Sequence, residues 1–419
     1  MKQVCAVILA QQSGNTIKSK YPKAMAQVLF KPMICWIADR CKQAQIQEIC
    51  VVGGEYTEQL RGILKEEVKA AEKAEDFIKE HQSCDVLVLP ADMPLLNVEL
   101  LQQMIAQHQN TGAAATLLTS DSFKQVTFTA GCFAADFLLQ MTEILNGEEN
   151  AWKDIVNFAE NKGRKAVAFL CKDENALIKA ENRADLLKLN EIANKIVVDR
   201  LLEDGVNFYC RDGIVISPDV SVGKDTTIAP GTQLKGKVTI GEDCVIGPNT
   251  VIEDSQIGDG CQIHSSLIEQ SSVGNRVKIG PNSHLRPNSS LADAVKIGNF
   301  VEIKNASLGE KTSVAHLTYI GDSDFGSHIN VGCGVVTVNY NGYQKFRSRV
   351  EDDAFIGCNT NLVSPVHVGK GAYIAAGSTI TSDVQEDSMA IARARQQNKE
   401  GWAKRYRETQ TALKAKQGK

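Results

Sequence analysis

From Val222 onward an aliphatic residue recurs at every sixth position: Val222, Ile228, Leu234, Ile240, Ile246, Ile252. With single-residue slips the period runs on through Ile257, Ile263, Ile268, Val273, Ile279, Leu285, Leu291, Ile297 and Ile303. It resumes at Val350, Ile356, Leu362, Val368, Ile374 and Ile380. An α-helix cannot hold this period, and an ordinary strand alternates every second residue. A parallel β-helix can: three hexads close one triangular coil, and each aliphatic side chain stacks inward on its counterparts above and below. Small residues such as Gly223, Gly241 and Gly247 follow it and turn the corners. The coil expected of such repeats is left-handed, against the usual right-handed crossover. A repeat of this length specifies a fold and says little about chemistry.

One interruption stands out. Between Val336 and Val350 the repeat gives way to TVNYNGYQKFRSR, with Asn339, Tyr340, Lys345, Arg347 and Arg349. A solenoid carries insertions as loops on one face, often the binding face. A basic, aromatic loop there suits an anionic ligand.

Before residue 200 the rhythm differs. Strand-like runs VCAVIL, QEICVVGG, CDVLVLP and KAVAFLC alternate with amphipathic stretches such as EQLRGILKEEVKAAEKAEDFIKEH. That order predicts a doubly wound α/β domain. ADLLKLNEIANKIVVDRLLEDG then has helical spacing and stops at Gly205. The expected layout is an α/β domain over 1–184, a linker helix over 185–206, a β-helix over 207–385 and a basic, partly disordered tail over 386–419.

Composition narrows the function. The 419 residues carry a formal net charge of −4 with 23% charged residues of mixed sign. That speaks against a nucleic-acid binder and a dedicated membrane-surface protein. No apolar run approaches the ~20 residues that span a bilayer. The twelve cysteines form no CxxC pair, and most, like Cys5, Cys50 and Cys244, sit in apolar runs. Buried, reduced thiols in a cytoplasmic protein are expected.

The segments HLRP, GNFVEIKNASLG, AHLTYIGD, INVGCGVVTVNYNGYQKF and AIARARQQNKEGW closely resemble the C-terminal half of the GlmU family. Those are bifunctional glucosamine-1-phosphate acetyltransferases and N-acetylglucosamine-1-phosphate uridyltransferases of bacterial cell-wall precursor synthesis. The likeness runs over about residues 205–402. It implies acetyl transfer from the cosubstrate acetyl-CoA to the amine of glucosamine 1-phosphate. His316 matches the family's catalytic histidine, and imidazole titrates near neutrality, as a general base should. Arg286, Lys304 and Lys345 match phosphate and sugar contacts, and Tyr319 and Asn330 match further sugar contacts. Cys333, Asn339, Tyr340, Cys358, Ala376 and Arg393 match the acetyl-CoA groove, with Cys358 where family members carry serine. Asn339 is the expected hydrogen-bond donor to the transition-state oxyanion. The resemblance also implies a homotrimer with active sites between β-helices, Arg393 reaching a neighbouring subunit.

The same resemblance makes the first half a nucleotidyltransferase-like domain, with losses. LAQQSGNTIKSKYPK stands where the family has LAAGxGTRMxSxxPK, so Gln12 replaces a glycine and Thr16 an arginine. Lys23 and Lys31 remain. Asp92 of PADMPLL occupies the Mg²⁺ position, and Glu181 stands where the family has asparagine. The uridine-binding QLGTGHA and the GYGRI loop have no counterpart, Thr129-Ala130-Gly131 replaces NTG, and residues 150–154 replace YYLTD. An acetyltransferase carrying a degenerate uridyltransferase domain is therefore expected. A fully bifunctional enzyme and a non-catalytic sugar-phosphate-binding paralogue are the alternatives.

Overall fold

The computed structural model describes residues 2–120, 130–146 and 148–416. The chain divides into two compact units, Met1–Ser255 and Gln256–Lys419.

The first unit is built on a seven-stranded sheet. Its spatial order is Lys69–Ala71, Ile49–Val52, Val4–Leu9, Asp85–Pro90, Gly131–Ala134, Ala115–Ser120, Ala166–Cys171. All neighbours are parallel except Gly131–Ala134, which runs antiparallel to both its partners. The central strands are apolar on both faces, as a sheet covered on both sides requires. Ala6, Ile8, Leu87 and Leu89 pack under helices Met33–Gln43 and Val98–Thr111; Cys5, Val7, Val86 and Val88 pack on the opposite side with Phe77, Phe137 and Trp152.

The amphipathic stretch EQLRGILKEEVKAAEKAEDFIKEH between two of the strands holds most of a short helix Thr57–Arg61, the edge strand Lys69–Ala71 and the helix Glu75–Glu80. The open edge of Ile49–Val52 takes Lys69–Ala71 as a parallel partner.

A helix over Arg183–Glu203 follows, started by a capping box between Asn182 and Asp185. It is stitched on both sides. Asn190 accepts from the Leu29 N–H, Asn194 bonds Ile214 and Ile216, and the Arg200 guanidinium donates to the carbonyls of Pro218 and Val220. Lys31 adds ion pairs to Asp39 and Asp219, the latter at 2.8 Å. The helix and the first hexad coils thus belong to the first unit.

One carboxylate in this unit sets a pH limit. Asp85 is 4% exposed beside His108 at 3.8 Å and Lys2 at 3.4 Å. Burial pushes its pKa up, but these two neighbours outweigh it and hold the group below the usual carboxylate range. A depressed pKa contributes stability above the unfolded value, about pH 4, that is lost as pH falls through the folded value. Asp85→Asn should therefore flatten the acid limb of a plot of thermal midpoint against pH. An unchanged limb would mean that Asp85 does not drive it.

The second unit is a parallel β-helix with three walls, each a ladder of two- to four-residue strands. One wall stacks Ile263, Ile279, Ile297, Val314, Val331, Ile356 and Ile374; another stacks Ile268, Leu285, Ile303, Ile320, Thr337, Leu362 and Ile380. All are buried. The coil runs unbroken through residues 304–338, with Phe325 and Thr337 taking aliphatic positions, and only the excursion 339–347 leaves it. The last rung, Met389–Ala390, pairs with Tyr373–Ile374, past the expected limit at residue 385. Beyond it, Trp402–Lys416 is a helix with no buried residue, where a partly disordered tail was expected.

None of the twelve cysteines is in a disulfide, and eight of them are buried. Burial pushes Cys5 and Cys41 up to about 12 and Cys50 up to about 11. Among the described residues no helix is long and apolar enough to cross a membrane.

Candidate active site

In the first unit, the stretch after Val4–Leu9 folds on itself. The N–H groups of Ile17 and Ser19 donate to the Gly14 carbonyl, Lys18 N–H to Asn15, and Lys23 N–H to Gln12. Those donors are spent inside the loop, whereas a phosphate cradle aims its N–H groups outward. Gln12 and Thr16 point to solvent. Lys31 is engaged by Asp39 and Asp219, and Trp152 is core, packed edge-on against Phe133 at 5.7 Å. Ala130 and Gly131 enter the sheet; Thr129 lies outside the described residues.

Lys23 and Asp92 do meet. Lys23 Nζ sits 3.2 Å from Asp92 Oδ2, with both side chains over nine-tenths buried. Asp92 Oδ1 is buried without a hydrogen-bond partner among the described residues. The Ala180 N–H donates to the Asp92 carbonyl, which brings the exposed Glu181 close in the chain. Among the described residues no three His, Cys, Asp or Glu side chains gather as a metal site. One free carboxylate oxygen beside a lysine fits Mg²⁺ only as a bridge to phosphates brought by a nucleotide.

In the second unit the matched residues fall into two groups. The first is a single row along one corner of the β-helix. The N–H of Gly334 donates to the His316 carbonyl, that of Asn359 to Cys333, and that of Gly377 to Cys358. His316, Cys333, Cys358 and Ala376 therefore occupy equivalent positions on successive coils, about 4.8 Å apart. Each precedes a residue in the left-handed region: Leu317, Gly334, Asn359 or Gly377. Arg393 closes the row, its Cδ beside Gly377. His316 is exposed, and its imidazole makes no hydrogen bond among the described residues. Asn330 lies on this wall, between Ser313 and Phe355.

The second group lies on the neighbouring wall. Arg286 and Lys304 stand one rung apart, since the Arg286 N–H donates to the Ile303 carbonyl, and Tyr319 pairs with Glu302. The excursion 339–347 brings Lys345 within hydrogen-bond reach of Lys304; that contact, then partial desolvation, then the Lys345 charge, pulls the Lys304 pKa down. Arg286 is not free: its Nη1 is 2.9 Å from Glu302, which holds its pKa up. Arg347 and Arg349 point elsewhere. Arg347 grips Asp324 through Nε and Nη2, and Arg349 pairs with Glu351. Of the loop's three cations only Lys345 faces the cluster. Tyr340 is exposed, its hydroxyl donating to the Gly342 carbonyl.

Asn339 behaves differently from expectation. Its carboxamide nitrogen donates to Asp322 Oδ2 and, at 3.4 Å, to Tyr319 Oη. A carboxylate only accepts, so the amide orientation is chemically determined. In this chain the Asn339 amide nitrogen is thus turned toward Asp322 and Tyr319. Sequence reading missed two residues here. Asp322 is 7% exposed and also accepts from Asn305 at 2.6 Å. Gly321 leaves the space this requires: a Cβ there would lie 2.3 Å from Tyr319 Oη and 2.8 Å from Asn339 Nδ2. Only the AHLTYIGD motif hinted at them.

Comparison with known proteins bears on both units. Residues 6–161 match the MobA-like NTP transferase domain, and residues 219–254, 237–267 and 347–382 match the bacterial transferase hexapeptide. The bifunctional protein GlmU of Caldanaerobacter subterraneus subsp. tengcongensis is 38% identical, over 96% of this chain and 98% of its own length. The chain belongs to the GlmU family. The GlmU proteins of Halalkalibacterium halodurans and Clostridioides difficile are each 36% identical, covering 94% and 96% of the chain and 97% of each relative. These relatives align over 94–96% of the chain, across both the nucleotidyltransferase-like first domain and the hexapeptide β-helix.

Proposed function

We propose that this GlmU-family chain transfers the acetyl group of acetyl-CoA to the amine of glucosamine 1-phosphate, feeding UDP-N-acetylglucosamine and cell-wall synthesis in the cytoplasm. The observation that carries this reading is the gathering of cations on one wall: Arg286 and Lys304 stand one rung apart, and Lys345 lies near enough to pull the Lys304 pKa down. Two ammonium groups that close repel unless an anion lies between them, and a sugar phosphate supplies one. His316, as general base, takes a proton as the amine attacks the thioester carbonyl. The C–S bond breaks, and the CoA thiolate leaves with that proton. Acetyl-CoA lies along the Cys333–Cys358–Ala376 row, with Arg393 at its end; Tyr319 and Asn330 hold the sugar. The working form is a homotrimer.

The first domain, on this reading, has lost UTP-dependent transfer. Four of its loop N–H groups, those of Ile17, Lys18, Ser19 and Lys23, are taken up within the loop, and Lys23 already pairs with the buried Asp92. The unpartnered Asp92 Oδ1 and the bifunctional relatives favour the second reading, in which UTP and Mg²⁺ still bind. Two assays on one purified sample decide. One follows CoA release with glucosamine 1-phosphate; the other follows pyrophosphate release from UTP, N-acetylglucosamine 1-phosphate and Mg²⁺. CoA release alone is the expected result. Both signals would establish the bifunctional reading, and neither would leave a sugar-phosphate-binding paralogue.

A further inference from the structure

Cys333 and Cys358 lie one above the other on the corner row. Val331 pairs with Ile356 on one wall and Val336 with Asn361 on the next, so each cysteine sits two residues past one paired strand and three before the other. The Asn359 N–H donates to the Cys333 carbonyl at 2.7 Å, and the residue after each cysteine, Gly334 or Asn359, is in the left-handed region. Equal register and equal corner conformation aim the two Cα–Cβ bonds alike, with the Cα atoms about 4.8 Å apart. A disulfide needs Cα atoms roughly 4.4–6.8 Å apart and Cβ vectors that do not diverge. Exposure sets the pair apart. Cys358 alone of the twelve cysteines is exposed, and Cys333 is half-buried. The thiols of Cys35, Cys171, Cys244 and Cys261 donate to backbone carbonyls, whereas neither sulfur here has a partner among the described residues.

We propose that Cys333 and Cys358 are a redox-active thiol pair, oxidised by the disulfide of coenzyme A, whose closure shuts the acetyl-CoA row. The choice of oxidant and the effect on activity rest on the acetyltransferase reading above. The Cys358 thiolate attacks one sulfur of the CoA disulfide, the S–S bond breaks, and one CoA leaves as thiolate and takes up the proton that Cys358 gave up. The Cys333 thiolate then attacks the Cys358 sulfur of this mixed disulfide and displaces the second CoA in the same way. Two protein thiols are oxidised to one disulfide, and one CoA disulfide is reduced to two CoA thiols. Attack starts at Cys358 because it is the exposed member. A disulfide holds its Cβ atoms about 3.8 Å apart, so closure draws the two corners together by about 1 Å and reshapes the row on which acetyl-CoA would lie. In the reducing cytoplasm assigned above, a bond this open to solvent forms transiently and is readily reduced, which makes it a reversible brake.

The test treats the purified full-length protein, reduced and freed of reductant, with CoA disulfide. Peptide mass mapping without reduction should find Cys333 joined to Cys358, two hydrogens lighter than the free peptides. CoA release, measured after desalting, should fall in proportion to the linked fraction and return after treatment with dithiothreitol. Cys333→Ala cannot close the pair and should stop at the mixed disulfide, heavier by one CoA. Cys358→Ser should neither close the pair nor carry CoA, and should keep its reduced rate after the same treatment. Each variant is compared with its own reduced rate, because both residues line the row, and thermal midpoints show that each is folded. Absence of the linked peptide would overturn the proposal, and so would a link between subunits, seen as a disulfide-joined dimer. Loss of activity in treated Cys358→Ser would overturn it too, assigning the effect to another thiol such as Cys35 or Cys210. A fully linked protein with undiminished CoA release would overturn the closing of the row. Absence of CoA release from the reduced protein would instead overturn the acetyltransferase reading, and the linked peptide, read by mass alone, would still decide for or against the thiol pair.

Discussion

His316→Ala should lower kcat for CoA release by roughly 10²–10⁴-fold, the usual contribution of a positioned general acid–base, and leave the fold untouched. The second half follows from its surroundings. The imidazole is exposed and bonds nothing among the described residues, while the backbone carbonyl, which Thr318 Oγ1 and the Gly334 N–H engage, survives the change. Steady-state CoA release and a thermal midpoint on the same sample check both halves. Near-normal turnover would remove His316 from the chemistry. A fall in the midpoint would mean the side chain packs against something the single chain does not contain.

Gly321→Ala should be nearly as damaging by a different route. Its Cβ would fall 2.3 Å from Tyr319 Oη and 2.8 Å from Asn339 Nδ2, so both must move. Asn339 has little room, being 8% exposed and anchored by Asp322, while the part-exposed Tyr319 must swing its hydroxyl end away. Overpacking of this kind costs about 1–3 kcal/mol, and a shift near 1 Å in a positioning group costs on the order of 10²-fold in rate. We expect kcat and the KM for glucosamine 1-phosphate both to deteriorate, with a modest fall in thermal midpoint. Normal kinetics would show that Tyr319 and Asn339 can relax at no cost, and would weaken the case that their geometry matters.

The hexad period made the β-helix readable because its inward column is a one-dimensional signal. Each coil repeats the last, so local sequence carries global structure. The same property aligned His316, Cys333, Cys358 and Ala376: equivalent positions in a periodic chain land on one edge. The first domain was legible at the level of strands, whose apolar runs are unmistakable. The edge strand Lys69–Ala71 was not legible inside its amphipathic stretch, since an edge strand is chosen by the neighbour it pairs with.

Sequence alone determined the two-part architecture, the family and the residue types at the candidate sites. Tertiary structure decided which of those residues meet. Lys345 reaches Lys304 only because the excursion folds back, and Arg347 does not follow because Asp324 holds it. Lys23 and Asp92, 69 residues apart, close on each other, while Lys31 is drawn to Asp39 and Asp219. The direction in which Asn339 points is likewise invisible in the motif. Hydrogen-bond polarity belongs to a pair of groups, and its partner, Asp322, lies on another coil, 17 residues away.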